Sequence, residues 1–321
     1  MIQLSAKAIG DGMRLKNDEI QIEVMPAEGG RIASLRCAGS GLEFLMQPHR
    51  PMRLTHASRD AGFIDGAVAG IEECMPTVSR CVVDGETIPD HGDLWQLAWD
   101  VTATSEDAVS LQAQCFSRPL RYEKTIRLVG AVVRVESRIV NVGAAPARFL
   151  YAAHPLLAVD AGDRIVLPEE CAELALHSSL KERVGVDRSR IAWPLVEGVD
   201  LSLLGDVYAR TAEMLYTDRL REGWCGLYRA RHAQGIAVRF DTAELGYMGL
   251  WICCGGWPDE PPFQYAFAPE PATSPCGSLA QAVEQGLAET LQPGESFRFA
   301  IEYRVSPSNL DLQGFARFAA G

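Results

Sequence analysis

Along much of this 321-residue chain, apolar and polar side chains alternate with a period of two. In SFRFAIEYRV, Phe297, Phe299, Ile301, Tyr303 and Val305 share one face, and Arg298, Glu302 and Arg304 share the other. VRVESRIVNV and GIAVRFD repeat the pattern, and EIQIEV sets Ile20, Ile22 and Val24 on a common side. Successive side chains of a strand point to opposite faces, so this alternation predicts half-buried antiparallel strands. Turn-forming clusters separate the runs at short intervals: AEGGR, AGSG, VDGE, NVGAAP and PGES. No succession of strand and long helix, internal repeat, low-complexity tract or Pro/Ser-rich linker breaks the pattern. The economical prediction is a single all-β domain over residues 1–321, a large two-sheet antiparallel β-sandwich with one or two short helices. The best helix candidate is SLAQAVEQG, with Ser278 as N-cap, Leu279 and Val283 four apart on one face, and Gly286 placed to end it.

Composition narrows the function more than the fold. A content of 47% hydrophobic and 22% charged residues is that of a globular protein with a sizeable core. The net charge of -12 argues against nucleic acid or an anionic membrane as partner, because no basic field exists to attract phosphate. The start, MIQLSAKAIGDGMRLKNDEI, lacks the basic head and apolar run of a signal peptide, and no stretch is long and apolar enough to span a bilayer. A cytoplasmic location is expected. The nine cysteines form no CxxC pair and no zinc-spaced cluster, which predicts reduced, mostly buried thiols. GxGxxG, Walker A, GxSxG and HExxH motifs are all absent, so nucleotide, serine-hydrolase and zinc-protease readings lose their main support.

Candidate chemistry gathers around a few residues. AFAPEPATSP holds Glu270 between Pro269 and Pro271, and two prolines leave the carboxylate few backbone choices. This stretch reads as the connection between the strand FQYAFAP and the short helix, where a side chain can overhang a cleft. His91 lies in the turn-like IPDHGDLWQLAW, and His154 in the apolar FLYAAHPLLAV just before Pro155. GIEECMPTVSR carries the adjacent acids Glu72 and Glu73, and GLWICCGGWPDE supplies Trp251 and Trp257. Aromatic faces with scattered carboxylates and few cations suit a sugar, whose ring stacks on indole and whose hydroxyls need acceptors.

Three local signatures in fixed order, PDHG, AAHPLL and APEPAT, resemble those of the aldose 1-epimerase family, within the wider galactose mutarotase-like superfamily. GGRIASLR, ECMPT and the closing LQPGESFRFAIEY extend the resemblance over most of the chain. It implies a two-sheet sandwich that interconverts α and β anomers of an aldose without a cofactor or metal, with a small-molecule carbohydrate as partner and a homodimer also allowed. Carried over residue by residue, it makes Glu270 the general base, His154 the general acid and His91 a residue that positions the sugar. The stretch holding the family's usual substrate-binding aspartate has no clear match; the corresponding YTDRLREGWCGLYRARH offers Asp218, Glu222 and Trp224 as substitutes. Arg80, Arg118 and Arg231 are candidates to meet an anionic sugar, and Glu73, Trp251 and Trp257 complete the expected substrate-binding set. Two other classes stay open: a sugar-binding or sensing protein without catalysis, and a glycosidase using a carboxylate pair such as Glu73 and Glu270.

Overall fold

A computed structural model describes residues 12–49, 52, 56–186 and 189–321. Residues 1–11, on which the reading of the chain's start partly rests, lie outside the described residues. Two large antiparallel sheets face each other, one of ten strands and one of eight. In spatial order the ten-stranded sheet runs Met13–Lys16, Ile20–Met25, Arg31–Cys37, Gly70–Cys74, Ala152–Ala158, Tyr265–Ala272, Tyr247–Cys254, Thr211–Tyr216, Glu173–Ser179 and Arg190–Ala192. The eight-stranded sheet runs Arg164–Val166, Trp224–Arg229, Gln234–Phe240, Ser296–Val305, Val132–Asn141, Leu120–Val129, Ala108–Gln114 and Asp100–Thr104.

The alternation in the sequence is what packs the sheets. Phe299, Ile301, Tyr303 and Val305 are buried in the main core, while Arg298 is exposed on the opposite face. Ile20, Ile22 and Val24 enter the same core from the other sheet. Removing apolar area from water stabilises this interface by roughly 25 cal/mol per Å² buried. A buried ion pair interrupts it. Lys124, from the eight-stranded sheet, donates to Glu73 Oε1 of the ten-stranded sheet at 3.0 Å, and the Tyr151 hydroxyl donates to Glu73 Oε2. Lys124 also lies 4.7 Å from the centroid of the Trp99 ring.

The predicted helix forms over Leu279–Glu284, with the Ser278 side chain accepting from the Gln281 N–H. Gly286, just past its end, has φ +69°, a conformation costly for other residues. A second helix, Leu312–Ala320, lays Phe315 and Ala319 onto the outer face of the eight-stranded sheet, where Trp224 and Tyr228 receive them. Among the described residues no helix is long and apolar enough to cross a membrane.

Candidate active site

The outer face of the ten-stranded sheet, turned away from the eight-stranded one, carries a cleft of about 310 Å³. Glu270 and His154 lie at its floor, 3% and 5% exposed. The expected loop position of Glu270 is not what forms. Pro269, Glu270 and Pro271 sit inside the central strand Tyr265–Ala272, paired in register with Leu250, Gly249 and Met248. Proline cannot donate to a ladder, and on the other side the ladder to Ala152–Ala158 is interrupted between Ala272↔Ala152 and Phe267↔Leu157. The two prolines therefore fit within a sheet, at the interval where His154 and Pro155 stand on the neighbouring strand. Rigidity is supplied here by the sheet as well as by the prolines.

Gly249 shapes the floor. A Cβ there would lie 2.9 Å from Glu270 Oε2 and 2.8 Å from Met214 Cε, so the missing side chain is the space the carboxylate occupies. Opposite, PDHG forms a turn in which Gly92 N–H donates to Pro89 O at 3.0 Å. Gly92 has φ +72°, and a Cβ on it would approach Met75 O to 2.2 Å, so the turn packs flush against the ECMPT segment. That contact brings His91 over the floor. Its Nδ1 is 2.9 Å from Asp90 Oδ1, and Phe63 stacks on its ring at 4.0 Å. The His91 and His154 rings meet edge to face at 5.1 Å.

The electrostatics follow from burial. His154 Nε2 stands 3.7 Å from Glu270 Oε1. Desolvation alone pushes the Glu270 carboxyl up to about 8. Desolvation also holds His154 well below the usual imidazole range, with His91 adding to the effect and Asp90 opposing it. Asp90 behaves differently. Burial raises it, but its hydrogen bonds to His91 and the Phe63 N–H outweigh that and keep it below the usual carboxylate range. Burial thus favours the uncharged form of both groups, a protonated carboxyl beside a neutral imidazole.

Trp251 and Trp257 also line the cleft, together with Gln264, which accepts from Trp251 Nε1 at 2.6 Å. Three expected residues are elsewhere. Glu73 faces the sandwich interior and is paired with Lys124, on the opposite side of the sheet from Glu270, so the carboxylate pair imagined for a glycosidase does not form. Trp224 packs under the C-terminal helix on the other sheet. Arg80 is exposed and pairs with Asp60 at 2.7 Å, although its neighbour Ser79 lines the cleft. The substitutes fare no better: Asp218 binds Arg190 at the surface, Glu222 accepts from Trp224 Nε1, Arg118 pairs with Asp84 and Glu86, and Arg231 is exposed in the short 3-10 helix Ala230–His232. Sequence reasoning missed Phe63, Asp90, His177, Ser178, Met214 and Tyr216, all of which line the cleft. Asp90 alone had a readable signal, standing beside His91 in PDHG. Among the described residues no group of three or more His, Cys, Asp or Glu could hold a metal ion.

No family model and no curated protein matches the chain in sequence. Solved structures do match in shape. A galactose mutarotase-like protein from Lactobacillus casei superposes with a TM-score of 0.67 at 14% identity, covering 92% of this chain and 100% of that one. A galactose mutarotase related enzyme from Lactobacillus acidophilus gives 0.63 at 14%, covering 94% and 98%. An aldose epimerase homologue from C. elegans gives 0.62 at 13%, covering 92% and 98%. Two stacked antiparallel sheets of this size, matched end to end by such structures, show that the chain has the galactose mutarotase-like fold.

Proposed function

We propose that the protein is an aldose 1-epimerase, a mutarotase that interconverts the α and β anomers of an aldose by acid–base ring opening and reclosure. The observation that carries the reading is the pairing of His154 and Glu270, 3.7 Å apart and buried on the floor of a cleft walled by tryptophans. Anomer exchange requires one group to take the C1 hydroxyl proton while another protonates the ring oxygen. The C1–O5 bond then breaks to a free aldehyde, C1 rotates, and reclosure returns both protons. One proton on a pair of groups is the stoichiometry this needs.

Burial favours placing that proton on Glu270. A sugar C1 hydroxyl donating to the carboxylate favours its charged form and draws the proton across to His154. Glu270 then serves as the base and His154 as the acid, each positioned group contributing roughly 10²–10⁴ in rate. Asp90 accepts from Nδ1 of His91, which leaves Nε2 to meet a sugar hydroxyl. Trp251 and Trp257 offer faces for the ring. The structural neighbours named for galactose mutarotase support the same reading.

The test is saturation transfer between the two anomeric proton signals of D-glucose, D-galactose, glucuronate and glucose 6-phosphate, with and without protein. Exchange accelerated by the wild type and lost in Glu270→Gln is the expected result. Absence of acceleration with every aldose overturns the proposal.

A further inference from the structure

The strand Glu173–Ser179 borders the cleft, and it carries an irregularity where the cleft ends. Leu176 pairs with Leu215, yet the next registered pair is Ser178 with Met214, so His177 is an extra residue in a β-bulge. In a regular strand His177 and Ser178 would point to opposite faces. The bulge breaks that parity, and both residues line the cleft while Leu176 stays in the main core. His177 is exposed there, and its ring meets Tyr216 edge to face at 5.7 Å. Tyr216 in turn borders the floor: a Cβ on Gly249 would touch both its ring and Glu270 Oε2. The imidazole is thus braced by a ring that itself packs beside the reactive carboxyl.

The spacing fits a ligand held at both ends. Three strand intervals separate the strand of Glu270 from that of His177, about 14 Å at the usual inter-strand distance. A sugar ring, a hydrogen bond at each edge and the side chains reaching toward it from the two strands together span such a distance. An imidazole both donates and accepts, as a sugar hydroxyl does, so it can pair with one whichever way the hydroxyl turns.

Resting on the mutarotase reading of the same cleft, we propose that His177 is a specificity-determining residue that hydrogen-bonds a ring hydroxyl remote from C1 and so selects among sugars. Its role is placement of the sugar, separate from the proton transfers at Glu270 and His154.

The experiment measures exchange kinetics of the wild type, His177→Ala and His177→Gln on D-glucose, D-galactose and their monodeoxy derivatives. His177→Ala is expected to lower kcat/KM about 10-fold for the preferred sugar, the size of one lost hydrogen bond, mainly through KM. The loss should vanish for the single deoxy sugar that lacks the contacted hydroxyl, and His177→Gln should recover part of it. An unchanged kcat/KM, or an equal loss across all the deoxy sugars, overturns the inference while leaving the mutarotase reading intact. A wild-type protein that neither exchanges nor binds any of these aldoses, by titration calorimetry, overturns both.

Discussion

Glu73 and Glu270 are both buried carboxylates of the ten-stranded sheet, and the sheet makes them different things. Glu73 faces inward, where Lys124 and the Tyr151 hydroxyl satisfy it from the sandwich interior. Glu270 faces outward into the cleft, with His154 at 3.7 Å and burial alone acting on its proton. A buried charge with a cation and a hydroxyl is locked as part of the scaffold. A buried carboxyl without them keeps its proton to higher pH and is available for exchange. Depth is common to the two; their partners differ.

Removing the ionisable group from the cleft should have the largest effect. Glu270→Gln keeps shape and one hydrogen-bonding oxygen but cannot accept the C1 proton, so kcat is expected to fall by roughly 10²–10⁴ while the protein stays folded. Exchange retained in a folded Glu270→Gln variant would erase the distinction between the two carboxylates. Lys124→Met tests the other side. It leaves Glu73 buried without its cation, which should cost about 3–5 kcal/mol of stability in a denaturant titration, with exchange per folded molecule unaltered. A variant that is as stable as wild type would show that Glu73 is no structural ion partner.

Within the cleft, His154→Asn should lower kcat about 10²-fold or more, as expected for a lost acid. His91→Asn should raise KM as well, because its assigned task is holding the sugar. Indistinguishable kinetics of the two variants would abolish the division of roles. The wild-type pH profile should then be bell-shaped, falling below the range where His154 takes a second proton and above about 8, where the pair loses its only one. These two limbs belong to the pair rather than to either residue. A profile flat between pH 5 and 9, roughly two units outside neutrality on either side, would contradict the one-proton requirement.

The last effect is on the pH dependence of stability. The Glu270 carboxyl rises from 4.5 in the open chain to about 8 in the fold, so the folded state holds its proton more tightly. That contribution is complete below pH 4.5 and is lost as pH rises through 8. Glu270→Gln, which cannot ionise, is therefore expected to melt above wild type at about pH 9 and by a smaller margin at about pH 5. Equal margins at the two pH values would remove burial as the cause of the shift.

Much of this architecture was legible in the order of residues. Period-two runs such as SFRFAIEYRV and EIQIEV became the strands they predicted, and Ser278 caps the helix it was expected to cap. That information is local: it needs only the pleat of a strand and the hydrogen bonds of one turn. The ordered signatures PDHG, AAHPLL and APEPAT also singled out three residues that the fold brings to one cleft, His91, His154 and Glu270.

Alternation tells which side chains share a face, but not which face becomes core, cleft or surface. Glu72 and Glu73 are neighbours in the chain, and only the approach of Lys124 from the second sheet shows that Glu73 belongs to the interior. Trp224 reads like Trp251, yet a C-terminal helix covers the first and a cleft opens above the second. Pro-Glu-Pro argues for a loop until the neighbouring ladder is seen to be interrupted at that interval. Ser178 would have faced the core without the bulge at His177. The sequence by itself determined the strands, their likeness to a known fold and the chemical types available. The tertiary structure decided which of those groups meet and which are turned away, because sheet pairing and stacking join residues far apart in the chain.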